Sequence, residues 1–145
     1  MSGKPNLYDS DVLEWSDQQA ALLRRLAAGE RVNDQIDWEN VAEEVESVGR
    51  SQLSAVRSHL IQALLHDLKA EAWPQARDVP HWRAEGLRAR GDAAEAYAPS
   101  MRQRIDVAAL YAKALRYMPA TYDGQPPRPV PTACPVTLDE LLSEA

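Results

Sequence analysis

The sequence predicts an all-α fold: a single-domain helical bundle of about five helices, followed by a proline-rich arm and a short C-terminal helix. Apolar residues in almost every segment recur at intervals of three and four, which is typical of helices buried on one face. Residues that start and end helices fall between these segments, as Asp37 and Gly29 illustrate. A chain of 145 residues has the size of one domain and needs no disulfide to hold a core together.

The boundaries of the elements follow from these start and stop residues. An N-terminal tail (1–8) precedes the bundle (9–118), the arm (119–136) and the last helix (137–144). Within the bundle, the predicted helices cover about residues 10–28, 38–48, 51–73, 80–97 and 99–118. Because Gly49 weakens the helical pattern, the second and third could be two helices or one bent helix.

The predicted second helix has one apolar arc, about 120° wide on the helical wheel, which we expect to face the core. It is formed by Trp38, Val41, Ala42, Val45 and Val48. We expect the four tryptophans of the chain to fill much of the core and to use their indole N–H groups in hydrogen bonds, because the sequence has no phenylalanine.

The arm and the last helix are predicted from different features. Residues 119–136 contain six prolines and no helical period, which indicates an extended segment. Thr137 and Glu140 have the spacing of a capping box, and the leucines that follow give the last helix an apolar side. This helix must therefore dock on its own bundle or on a second subunit.

Charge and composition exclude several classes of protein. No apolar run reaches the roughly 20 residues that span a bilayer, and the first residues lack an apolar signal core, so we predict a cytoplasmic protein without a membrane partner. Cys134 is the one cysteine, which excludes an internal disulfide. Residues 1–50 hold 5 basic and 11 acidic side chains, whereas residues 71–117 hold 8 and 6. This asymmetry could guide self-association or attract a partner of opposite charge.

Four segments of the chain are similar to one known family. They are the tryptophan-bearing start at 8–23, DWENVAEEVESVGRS at 37–51, HDLK at 66–69 and CPVTLDELL at 134–142. Together they resemble the bacterial family known as domain of unknown function twenty-nine, most specifically through the tryptophan, the paired glutamates and the glycine of the second segment. The resemblance implies an all-helical bacterial protein with no assigned biochemistry, and it supplies no catalytic residues.

A divalent-metal site is one possible function. If the second and third helices pack antiparallel, Glu43 or Glu46 could come opposite His59 and His66, and two histidines with a carboxylate are a competent ligand set. No Glu-x-x-His element accompanies them, so the alternative is an exposed acidic face with solvent-facing or hydrogen-bonded histidines. Glu46 lies at the edge of the apolar arc, where a carboxylate would need a partner.

The interpretation that we favour is a non-enzymatic domain that forms a homo-oligomer or binds another protein, using the arm and the last helix. It expects no cofactor. The first alternative is a metal-binding protein or metal-dependent enzyme built from the four residues above. The second is a weak nucleic-acid binder, which the net charge of −6 disfavours; its basic cluster would be Arg83, Arg88, Arg90, Arg102 and Arg104.

Overall fold

The computed structural model describes residues 6–143, and within that range the chain is all-α, as predicted. The range contains six α-helices, two short 3-10 helices and no β-strand. The α-helices are α1 (Leu7–Ser10), α2 (Val12–Ala27), α3 (Trp38–Ala72), α4 (Val79–Ala96), α5 (Val107–Tyr117) and α6 (Leu138–Ser143). The chain divides after Gly49 into two compact units, here called the first unit and the second unit. Residues 1–5 of the predicted tail and Glu144 of the predicted last helix lie outside the described range.

The first unit begins with a helix that the sequence did not predict. α1 occupies part of the predicted tail, because the Asn6 side chain accepts a hydrogen bond from the Tyr8 amide at 3.1 Å and caps its first turn. Asp11 then caps α2 by accepting from the Glu14 amide at 3.1 Å. Two caps five residues apart therefore start two helices where one was predicted from residue 10.

The predicted second and third helices are one continuous helix, α3. Gly49 lies within it and does not end it. A glycine costs a helix about 1 kcal/mol relative to alanine, which is too little to break a helix of 35 residues. The antiparallel pair of helices on which the metal site depended is therefore absent.

Replacing Gly49 with alanine should stabilise the protein by about 1 kcal/mol. A Cβ at this position would meet no atom within 4 Å, so the helix gains stability without a clash. Urea denaturation followed by circular dichroism measures the change. Gly29→Ala is the matched control and should destabilise, because Gly29 has φ of +97°, a left-handed conformation that disfavours side chains. A Gly49→Ala variant less stable than wild type would contradict this account.

The core of the second unit lies around the C-terminal half of α3. Val56 and Leu60 of this helix are fully buried, and Leu110 of α5 belongs to the same cluster. The predicted fifth helix is divided in the structure: Pro99–Arg104 is a 3-10 helix, and α5 starts after Asp106, whose side chain accepts from the Ala109 amide at 3.3 Å.

Helices α3 and α4 approach closely at a glycine. Gly86 is buried, and a Cβ there would lie 3.1 Å from Asp67 Oδ1. The same Asp67 carboxylate forms an ion pair with Arg90, one turn further along α4. A glycine that lowers the intrinsic stability of α4 thus gives room for the charged contact between the two helices.

The proline-rich arm and α6 pack on their own second unit. Leu138 and Leu141 are buried in its core, and α6 contacts α4. The predicted capping box is confirmed: the Thr137 amide donates to Glu140 Oε1 at 3.0 Å, and the Glu140 amide donates to Thr137 Oγ1 at 3.1 Å. The apolar side of the last helix is therefore used within the chain.

Candidate functional site

The four side chains predicted as metal ligands lie at separate points along α3. Glu43 lies in the N-terminal part of this helix and His66 close to its C-terminal end. His66 Nδ1 donates to the Gln62 carbonyl oxygen at 2.8 Å, one turn earlier, and Glu46 is exposed. His59 lies between them and is half-buried. The two glutamates belong to the first unit and the two histidines to the second, and the hairpin that would have paired them is not formed.

Residues 6–143 contain no group of three or more histidine, cysteine, aspartate or glutamate side chains that could hold a metal ion. The metal hypothesis thus has no supporting geometry in this range. It stays a prediction, and elemental analysis of protein purified without chelator would test it.

Of the two carboxylates at the edges of the predicted apolar arc, Glu44 rather than Glu46 forms a part-buried hydrogen bond. Glu44 lies at the opposite edge of the predicted apolar arc and accepts a hydrogen bond from the Tyr8 hydroxyl of α1. This hydrogen bond to the carboxylate raises the pKa of Tyr8 to about 12. Helix α1 therefore packs against the Glu44 side of α3 within the first unit. This contact was not predicted from the sequence, because Tyr8 falls in the predicted tail.

Asp37 connects the helices of the first unit at the start of α3. Its Oδ2 accepts from the Asn40 side chain at 2.8 Å and from the Trp15 indole at 3.0 Å, and its amide donates to Gln19 Oε1 at 2.8 Å. The hydrogen bonds from Asn40 and then Trp15 lower the pKa of Asp37, because they favour the charged carboxylate. These contacts describe a structural junction, since they join α2 to the start of α3 within the first unit.

Three of the four tryptophans lie in the core, as predicted. Trp15, Trp73 and Trp82 are buried, whereas half of the Trp38 surface is exposed. The Trp38 indole N–H nevertheless donates to the Asn33 carbonyl oxygen at 2.8 Å. Its ring is therefore held in place and open to solvent.

The predicted basic cluster is largely paired with carboxylates. Arg90 pairs with Asp67 and Arg102 with Asp139 of α6, and Arg88 lies 3.9 Å from Glu85. The hydrogen bond with Asp139 also raises the pKa of Arg102 above its usual value. Arg83 and Arg104 are exposed. Pairing of this kind lowers the positive charge available to phosphates, and nucleic-acid binding stays a prediction.

The predicted apolar arc of α3 is exposed where it was expected to be buried. Val45 is 69% exposed, Val48 is 67% exposed and Trp38 is 50% exposed, and Ala42 between them is also exposed. Val41, which lies between Val48 and Val45 on the helical wheel, packs partly against the core of the first unit. We call the four exposed residues Trp38, Ala42, Val45 and Val48 the α3 stripe.

None of the helices in residues 6–143 combines the length and apolar composition that crossing a membrane requires.

The α3 stripe lies on a helix rich in glutamate, with Glu39 and Glu46 on its border. An apolar stripe with a charged border is typical of a surface that binds another protein.

Comparisons with known proteins agree with the all-α fold. A crystal structure of an alpha-helical protein of unknown function from Rhodospirillum rubrum is similar to this chain, with 29% sequence identity and a TM-score of 0.70. The similarity covers 97% of this chain and 92% of that one. No curated protein matches the sequence. The family model described as Domain of unknown function DUF29 matches residues 7–145, nearly the whole chain. The resemblance noted in the sequence is thereby confirmed, and the chain belongs to the DUF29 family.

Proposed function

We propose that this protein is a non-enzymatic interaction domain that self-associates, and that the α3 stripe is its contact surface. The observation that supports the proposal is the exposure of Trp38, Val45 and Val48 on one side of one helix. Single exposed apolar side chains are ordinary on protein surfaces, but a row of them at helical spacing forms a continuous apolar strip.

Trp38 suits the centre of such a contact. Tryptophan is enriched among the residues that contribute most to binding, and its indole N–H must be hydrogen bonded when the ring is buried. The Trp38 N–H already has this bond, to Asn33. Burying the ring against a partner therefore removes apolar surface from water and leaves no donor unsatisfied.

The charges around the stripe favour a basic partner surface. Glu39 and Glu46 border the stripe on one side, so a second identical stripe would bring carboxylates together. The chain has a complementary surface in its second unit. Helix α4 exposes a narrow apolar strip whose centre is Leu87, 55% exposed, with exposed Pro80 and Ala84 beside it.

Two arginines border this strip of α4. Arg83 precedes Leu87 by one turn, and Arg88 lies on the other side of the strip; both are exposed. The proposed contact therefore joins the α3 stripe of one molecule to α4 of another, with glutamates facing arginines. Such a heterologous contact builds a ring or an open chain rather than a closed pair.

Light scattering of the full chain over a range of concentrations tests the proposal. Wild type should form species larger than a monomer, and Val45→Glu combined with Val48→Glu should weaken association at least tenfold, because charges would be buried without partners. Ser54→Glu is the matched control: Ser54 is exposed on the same helix but lies away from the stripe, so the mass should not change.

The choice of α4 as the opposite surface has its own tests. Leu87→Glu should weaken association as strongly as the stripe variant, and added salt should weaken it in wild type by screening the charged border. A wild-type chain that is monomeric at every concentration would reject self-association. Dissociation by the stripe variant but not by Leu87→Glu would reject α4 as the contact.

A further inference from the structure

A cleft of about 660 Å³ lies in the second unit between the end of α3 and the arm. Its volume falls in the range of small-molecule sites, about 300–1,000 Å³. One side is formed by the residues that follow α3 and the other by residues 122–128. The lining residues that matter for binding are Trp73, Pro74, Arg77, Tyr122, Pro126 and Arg128.

The two sides of this cleft are joined by hydrogen bonds. The Trp73 indole N–H donates to the Gln125 carbonyl oxygen at 3.0 Å, and the Arg128 amide donates to the Ala72 carbonyl oxygen at 2.9 Å. The Tyr122 hydroxyl donates to the Asp78 carboxylate. The arm is thereby fixed to the end of α3 on both sides of the cleft, so a ligand would meet a preformed surface.

Packing between aromatic rings also holds the Tyr122 side of the cleft in place. The Tyr122 ring lies 5.9 Å from the Trp73 ring and 4.8 Å from the Trp82 ring, in tilted and edge-on arrangements.

A tight turn from Tyr122 to Gln125 directs the arm back toward α3. Asp123 and Gly124 have positive φ, as a two-residue type I′ turn requires.

The charge of the lining favours an anion. Arg77 and Arg128 both line the cleft with exposed side chains, and neither guanidinium belongs to an ion pair of the described residues. The one carboxylate in the lining is that of Asp123. Guanidinium groups bind carboxylates and phosphates through paired N–H donors, and Pro74 and Pro126 provide apolar contact beside them.

We propose that the cleft binds a small organic anion, a phosphate or carboxylate carried on a flat apolar group. Arg77 and Arg128 hold the anionic group, and the prolines with the Tyr122 ring contact the apolar group. This site is independent of the α3 stripe, which belongs to the first unit.

Titration of the isotope-labelled full chain, followed by NMR, tests the proposal with phenyl phosphate and benzoate as probes. Saturable shifts confined to residues 72–77 and 122–128 are expected for at least one probe. Tighter binding of phenyl phosphate would identify a phosphoester as the ligand, and tighter binding of benzoate an organic acid. Inorganic phosphate should bind at least tenfold more weakly than phenyl phosphate, because it lacks the apolar group.

Variants locate the binding on the two arginines. Arg77→Gln and Arg128→Gln should each weaken binding about tenfold, and neither should disturb the fold, because the Arg128 amide that bonds Ala72 is kept. Arg116→Gln, at an exposed arginine on α5, is the matched control and should bind as wild type does. Absence of saturable shifts with both probes, equal weakening by Arg116→Gln, or equal binding of the cation benzylamine would overturn the proposal.

Discussion

Replacing Leu141 with alanine is expected to destabilise the second unit by about 2–5 kcal/mol, the cost of deleting a fully buried leucine side chain. Leu141 has 0% of its surface exposed, although it lies on a helix of only six residues. The substitution leaves a cavity in the core and weakens the docking of α6, which holds the arm from its far end.

Thermal and urea unfolding of the full chain measure this loss. Leu13→Ala is the control, because Leu13 is exposed on α2 and its truncation should change stability by less than about 0.5 kcal/mol. A Leu141→Ala variant as stable as the control would mean that α6 does not complete the core in solution. An unchanged unfolding transition with increased oligomer mass would instead favour docking of α6 on a second subunit.

Replacing Trp15 with alanine is expected to cost about 3–5 kcal/mol and to act on the first unit. The indole is buried, packs edge-on against the Tyr8 ring at 4.8 Å and donates to Asp37 at 3.0 Å. Among the described residues of this unit, the core cluster has three buried members, Leu22, Val32 and Ile36. Few other contacts can therefore compensate for the loss.

Hydrogen exchange resolves the effect by segment. Amides of α2 should exchange much faster in the Trp15→Ala variant, while amides of α5 should stay protected. Trp38→Ala removes the same side chain from a half-exposed position and should change protection in α2 far less. Equal loss of protection in both variants would contradict the central role assigned to Trp15.

The sequence predicted those parts of the fold that depend on interactions between residues close together in the chain. The capping box at Thr137 is formed by atoms three residues apart, so its pattern is visible in the chain. Gly49 shows one limit of such local prediction, because an intrinsic cost of about 1 kcal/mol cannot decide whether a long helix breaks. The apolar arc of α3 shows a second limit. Periodicity identifies which residues share a face of a helix, but not whether the rest of the chain covers that face.

The candidate sites were harder to predict, because they depend on contacts between residues that are distant in the sequence. The metal hypothesis relied on an antiparallel hairpin, and α3 is one continuous helix instead. Arg77 and Arg128 are distant in sequence and share a cleft because a backbone bond and an indole hydrogen bond fix the arm. The Asp-Gly pair at 123 and 124 was a usable indication, since it is typical of a tight turn that reverses the chain.

The position of Leu141 has a consequence for biosynthesis. The core of the second unit includes Leu53 and Leu141, so the packing around Leu53 is complete only after residue 141 has been synthesised. During translation the C-terminal half of α3 must therefore emerge with apolar surface that α6 has not yet covered. Incompletely folded chains with exposed apolar surface are prone to aggregate and are bound by chaperones, so we expect loss of the last helix to lower the yield of folded protein as well as its stability.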